Sequence, residues 1–187
     1  MKVSKAKVGE NRSAILAAAG RLFRERGCAA VSVSDVMTAA GLTHGAFYGY
    51  FRSKEDLVAA TLAELMNAPR PPGAWSESRT RYLSPAHRDD GAGGCPVAAL
   101  AGEAGRASLP ARKALAEGVE HMIARQNLDA PGENGAERRR AAIGRVSAMV
   151  GALILSRAIG DGALSEEVLN ATRDWLEKHR DAATLDE

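Results

Sequence analysis

Thr43, His44, Gly45, Ala46, Tyr48, Tyr50 and Lys54 stand in one short run, and together they offer the chemistry of a nucleic-acid surface. His44 can hydrogen-bond a purine edge, and Ala46 can touch a thymine methyl. The hydroxyls of Thr43, Tyr48 and Tyr50 can reach phosphate oxygens, and Lys54 adds a positive charge. Gly45 and Gly49 have no Cβ and permit close approach of backbone to duplex. Phe47 and Phe51 fall in the same run but read as core, because apolar residues at helical spacing are usually buried.

A second set is looser. The middle of the chain is rich in Ala, Leu and Met and can line an apolar pocket, with Cys95, Glu103, His121 and Met149 as ligand contacts. Cys95 immediately precedes Pro96 at an expected helix start, where the positive dipole end favours the thiolate. That opens a thiol sensor for oxidants or electrophiles. The plainer alternative is a small buried hydrophobe that happens to cap. His87, Asp89, Asp90 and Cys95 mix ligand types at a spacing that matches no closed metal site, so no metal is expected. Gly91 to Gly94 lacks a following Lys and Ser or Thr, which excludes a phosphate loop. There is no HExxH, no GxSxG and no dinucleotide fingerprint. A Cys95–His121 dyad is the one catalytic pairing to weigh, and an enzyme is not expected. No cofactor is expected either.

These residues need elements to hold them. Ser32 and Asp35 form a capping box that opens a helix with Val33, Val36, Met37 and Ala40 on its apolar stripe, and Gly41 ends it. Thr43 caps a second short helix. Ser53 and Asp56 make another capping box, opening a helix from Lys54 to about Met66. Asn11 can cap the first helix, whose Ile15, Leu16, Ala18, Ala19, Leu22 and Phe23 share one face before Gly27 stops it. Met1 to Glu10 reads as a disordered basic arm. Two short helices joined by a glycine turn make a helix-turn-helix, whose second helix enters the major groove. Further on, Pro69 to Gly73 breaks the pattern, Trp75 to Leu83 is a weak helix, and Ser84 to Gly94 reads as a loop. Helices are expected over Pro96 to Ala107, Pro110 to Asn127 and Glu137 to Ile159, and from Ser165, through a capping box, to His179. The result is an all-α fold of about nine helices with no strand.

Composition agrees. The chain has 187 residues, 45% hydrophobic and only 4% aromatic, which favours helices packed on helices. Met1 to Lys54 holds nine Lys or Arg against three Asp or Glu, a net +6, while the remainder carries −4. The basic excess coincides with the helix-turn-helix and fits a phosphate footprint. No apolar run approaches the roughly 20 residues of a membrane span, no apolar signal core is visible, and two cysteines suggest no disulfide framework. A cytoplasmic protein without a membrane partner is expected.

Residues Asn11 to Leu57 resemble the DNA-binding domain of the TetR family of bacterial transcriptional repressors. The matching pieces are Ile15-Leu-Ala-Ala-Ala-Gly-Arg-Leu-Phe23 with Gly27, Val33-Ser-Asp-Val36, Ala39-Ala-Gly-Leu42 and Phe47-Tyr-Gly-Tyr-Phe-Arg-Ser-Lys-Glu-Asp-Leu57. Gly49 stands where the family usually carries a larger polar residue. Tyr82 to Asp90, Gly94 to Leu100 and Gly151 to Ile159 resemble one ligand-domain subgroup of the family, less specifically. The resemblance implies residues 1–55 as a DNA-binding domain and residues 56–187 as a ligand-binding and dimerisation domain. It implies a homodimer on a palindromic, double-stranded operator, released by a small-molecule effector. The last two helices would pair the copies through small residues (Ala148, Gly151, Ala152, Ser156) and apolar ones (Leu153, Leu155, Leu164, Val168, Leu169, Trp175).

Overall fold

Short polar side chains cap five of the ten helical segments among the described residues. The computed structural model describes residues 4–68, 75–128 and 130–179. The Ser4 hydroxyl accepts from the Lys7 N–H at 3.2 Å and opens α1, Lys5–Arg26. This corrects two expectations: Lys5 to Glu10 is helical rather than a loose arm, and Asn11 lies inside the helix rather than at its cap. The reason is local, since Lys7 pairs with Glu10 one turn on at 3.1 Å. The expected break at Pro69 to Gly73 lies outside the described residues.

Then follow α2 (Val33–Ala39), a 3₁₀ helix (His44–Gly49), α3 (Lys54–Asn67), α4 (Trp75–Tyr82), α5 (Pro85–Asp89), α6 (Pro96–Ala104), α7 (Leu109–Asn127), α8 (Gly135–Ile159) and α9 (Ala163–Lys178). The fold is all-α, with ten helical segments and no strand among the described residues. The additional segment is α5, inside the expected Ser84–Gly94 loop. Ser84 caps it by accepting from the His87 N–H, and Pro85 pre-sets its first turn.

The chain divides into two compact units. The first comprises Met1–Ala68 with Ala92–Gly118. Its core joins Ile15, Leu16, Leu22 and Phe23 of α1 to Val36 and Met37 of α2, Phe47 and Phe51, and Leu57 and Leu62 of α3. Each such side chain contributes about 1.5–3 kcal/mol relative to exposure. Met66 of α3 packs on α7 where a Cβ at Gly118 would lie only 2.4 Å from its sulfur.

The second unit comprises Pro69–Gly91 with Val119–Glu187. Leu83, Met149, Ala152, Leu169 and Leu176 form one cluster, and Ile123, Ala130, Ala142 and Val146 another. Ser165 does not start the last helix: Gly162 is its N-cap, and Ser165 is buried. The Ser165 hydroxyl donates to the Ser156 carbonyl at 2.9 Å and accepts from buried Arg88 at 3.1 Å. Arg88 also pairs with Asp89 and Asp161. Arg157 of α8 donates to the carbonyls of His87, Arg88 and Asp90 at the end of α5. Ala152, Leu153, Ser156 and Leu169 belong to the interior of this unit, whereas Ile154, Leu155, Leu164 and Trp175 are exposed. By length and composition α8 is long and apolar enough to cross a bilayer, contrary to the sequence expectation. It instead packs on α9, with Arg145 buried and Arg157 holding α5.

Candidate nucleic-acid interface

The 3₁₀ helix is built from its buried side outward. The capping box is complete: the Asp35 N–H donates to the Ser32 hydroxyl at 3.1 Å, and the Asp35 carboxylate accepts the Ser32 N–H at 2.8 Å. The Ser32 hydroxyl also donates to that carboxylate at 2.6 Å, and this bond, with the one from the Ser32 N–H, holds the Asp35 carboxyl below its ordinary pKa. Gly41 adopts φ +71°, a left-handed turn that side chains other than glycine rarely take, and the Leu42 N–H reaches back to the Met37 carbonyl at 2.9 Å. The chain then runs straight into His44.

Phe47 points inward and is 1% exposed, stacked on Phe51 with ring centroids 5.8 Å apart. Arg12 of α1 lies over the Phe51 ring at 5.3 Å. Tyr48, the next residue, points outward and is 70% exposed. It meets Phe47 edge-on at 5.3 Å and His44 edge-on at 6.5 Å. Thr43, His44, Gly45 and Gly49 are exposed beside it, and Ala46 is half-buried. The Cβ positions of Gly45 and Gly49 face open space, so no core contact requires glycine there.

Three expected contacts sit differently from a simple DNA-facing row. Thr43 occupies the N-cap position, but its hydroxyl makes no cap hydrogen bond; its carbonyl starts the helix by accepting from the Ala46 N–H at 3.0 Å. Tyr50 is half-buried, and its hydroxyl accepts from Asn11 Nδ2 at 2.8 Å. The phenol O–H remains as a donor. Lys54 Nζ donates to the Ala29 carbonyl at 3.2 Å, which leaves further donors on the ammonium. Ser53 caps α3 by accepting from the Asp56 N–H, but the Asp56 carboxylate accepts from the Arg52 N–H, one residue earlier than a capping box requires. Arg52 was not among the sequence candidates. Its side chain is 93% exposed, beside the 3₁₀ helix, and its place between Phe51 and Lys54 in the basic segment was the available signal.

The ligand candidates do not gather at one place. Cys95 and Glu103 fall in the first unit, His121 and Met149 in the second. Cys95 is buried at the N-cap position of α6 with no side-chain cap bond, His121 is exposed, and Met149 belongs to the Leu83 cluster. Glu103 instead faces the loop after α1. Its carboxylate accepts the Ala29 N–H at 3.0 Å, and at Gly27, φ +81°, a Cβ would lie 2.3 Å from its other oxygen. Arg24, in the last turn of α1, donates to the Gly93 and Gly94 carbonyls just before α6. A cavity of about 210 Å³ opens here, lined by Cys28, Lys54, Glu55, Val58, Leu62, Leu100, Glu103 and Arg106 among others. Burial, reinforced by the Glu103 carboxylate against the opposing Lys54 charge, pushes the Cys28 thiol up to about 11. Cys28 is therefore a neutral thiol at physiological pH and a weak nucleophile. No cluster of three or more His, Cys, Asp or Glu suited to a metal occurs among the described residues.

Comparison with known proteins points one way. Residues 15–61 match the family described as bacterial regulatory proteins, tetR family. The regulator TtgR of Pseudomonas putida is 40% identical over 62 residues, 33% of this chain and 30% of that protein. The repressor BepR of Brucella suis is 40% identical over 57 residues, 30% of this chain and 27% of that protein. The chain thus spans about 30% of the length of the curated relatives it matches. Among solved structures, a TetR-family regulator from Cytophaga hutchinsonii superposes with a TM-score of 0.70 at 21% identity, covering 95% of this chain and 98% of that one. The reduced form of E. coli NemR gives 0.67 at 22% identity, covering 90% and 95%. These structural likenesses carry the fold.

Proposed function

We propose that this chain, which belongs through its N-terminal domain to the TetR family of bacterial helix-turn-helix transcriptional regulators, is a dimeric repressor that a small-molecule inducer releases from a palindromic operator. The family consists of transcriptional regulators rather than enzymes. In this reading residues 1–55 recognise DNA, and residues 56–187 pair the copies and receive the effector.

One observation carries the proposal: Phe47 is anchored in the core while its neighbour Tyr48 stands out at 70% exposure beside His44. A residue on a rigid short helix that projects an aromatic hydroxyl and an imidazole, flanked by side-chain-free Gly45 and Gly49, suits entry into a groove. Tyr48, His44 and Ala46 would meet base edges. Thr43, Tyr50 and Lys54 would hold phosphates, Tyr50 as a donor and Lys54 through the donors that Ala29 leaves it. Dimerisation has its own support in exposed Leu155, Leu164 and Trp175 on α8 and α9, because a single short helix reads few bases and two read a palindrome. Thiol sensing through Cys95 has less support, since that side chain is only 8% exposed.

The test is footprinting on the DNA adjacent to the protein's own gene, with Tyr48→Ala as the paired protein. Protection of a palindrome by the natural chain and its loss in a folded Tyr48→Ala is the expected result. Equal protection by both removes the 3₁₀ helix from the reading role.

A further inference from the structure

The cavity under Glu103 shares only Lys54 with the residues proposed above for DNA. Its volume is about 210 Å³. That is below the ~300 Å³ at which drug-sized sites begin, so its ligand is small. Val58, Leu62 and Leu100 give it an apolar floor. Four charged side chains line it, and they are not equivalent. The Glu103 carboxylate faces the chain, taking the Ala29 N–H and lying against Gly27. Glu55 is held by its own backbone N–H and the Ser53 hydroxyl. Both acids therefore spend acceptors on their own protein. The cations have donors to spare: Lys54 uses one on the Ala29 carbonyl, and Arg106 is exposed, its backbone N–H donating to the Glu103 carbonyl while its guanidinium makes no hydrogen bond or ion pair among the described residues.

We propose that this cavity binds a small apolar carboxylic acid, its carboxylate on Arg106 and Lys54 and its body on Val58, Leu62 and Leu100. Spare donors over an apolar floor match such a ligand in charge and in shape. The site couples to DNA in two ways. The carboxylate competes with phosphate for Lys54. It also draws Lys54 from Ala29, whose N–H and carbonyl are gripped by Glu103 and Lys54 respectively, and Ala29 lies in the loop that leads to α2. This coupling rests on the regulator reading; binding itself does not.

The experiment is fluorine NMR of fluorobenzoate with the full chain, without DNA, alongside Arg106→Ala, Ala107→Trp and the cationic analogue fluorobenzylamine. Ala107 lines the cavity, and a tryptophan there fills it. Saturable binding of fluorobenzoate is expected, weakened about tenfold by Arg106→Ala and abolished by Ala107→Trp. Fluorobenzylamine should bind far more weakly. Arg106 is exposed, so its variant folds even if the tryptophan variant does not. The proposal is overturned by no binding up to roughly 10 mM, by equal affinity in both variants, or by tighter binding of the amine. A separate titration of operator affinity with fluorobenzoate tests the coupling. Loss of DNA affinity on ligand binding supports it, and ligand binding without any change in DNA affinity overturns it. A chain that binds the acid but no operator DNA overturns the regulator reading and leaves the site standing.

Discussion

Asn11 and Tyr50, separated by 39 positions, meet through a 2.8 Å hydrogen bond from the amide Nδ2 to the phenol oxygen. The bond ties the end of the 3₁₀ helix to α1. It also fixes the direction of the phenol O–H, since one of the oxygen's lone pairs is engaged. Asn11→Ala and Tyr50→Phe should therefore not act independently. A double-mutant cycle on unfolding free energy should give a coupling of about 0.5–1.5 kcal/mol. Additivity within a few tenths in urea melts would mean that the pair does not hold the helix.

Phe47 and Tyr48 are adjacent and should behave oppositely. Phe47→Ala empties a core position and should cost about 3–5 kcal/mol of stability. Tyr48→Ala should leave the melt nearly unchanged and weaken operator binding by about 1–3 kcal/mol. Calorimetry and a gel-shift titration on the same two proteins separate the roles.

Lys54→Met should reduce the salt dependence of operator binding. If the ammonium neutralises one phosphate, the log–log slope of affinity against salt falls by about 0.9. An unchanged slope confines Lys54 to the Ala29 carbonyl.

Gly118 allows Met66 to approach α7. Gly118→Ala places a Cβ 2.4 Å from the Met66 sulfur and should destabilise the protein by about 1–3 kcal/mol. Met66→Ala removes the Sδ and Cγ contacts but leaves the Met66 Cβ 2.7 Å away, so the two changes combined should cost less than the sum of their separate losses. Thermal melts of the three variants against the natural chain give the answer, and a Gly118→Ala protein as stable as its parent refutes the close crossing.

His87 sits half-buried, with Nδ1 2.8 Å from the Tyr82 carbonyl and its ring edge-on to Tyr82. Burial, the largest influence, lowers its pKa below the ordinary 6.5, against the raising effect of that carbonyl. The folded state thus prefers the neutral ring. Its contribution to stability is full above pH 6.5, declines as pH falls below that value, and is gone once pH passes the folded pKa. Urea midpoints between pH 7.5 and 5 should fall in the natural chain and fall less in His87→Gln.

The helix-turn-helix was legible because its signals are local. Ser32 with Asp35, Gly41, and Ser53 before a helix each specify a terminus within a few residues, and the structure realises all three. What stayed hidden depended on distant partners. Nothing near Tyr50 announces Asn11, and nothing near Lys54 announces the Ala29 carbonyl. Ser165 looks like a cap by its following acids, yet burial and Arg88 claim its hydroxyl. In Ser84 to Gly94 three glycines mask a valid Ser-Pro helix start, so local pattern points to a loop where α5 forms. The 3₁₀ winding of His44–Gly49 was also beyond local pattern, because six residues with two glycines satisfy either helical period.

The back-to-back placement of Phe47 and Tyr48 has an evolutionary consequence. The inward residues secure the 3₁₀ helix to the core, whereas His44, Gly45, Tyr48 and Gly49 lie on its exposed side. If those outward side chains read bases as proposed, selection can rewrite them, and with them the preferred DNA sequence, while the core anchor stays intact. On that reading, duplicated copies of this chain could diverge toward different promoters by a handful of substitutions on one side of a six-residue helix.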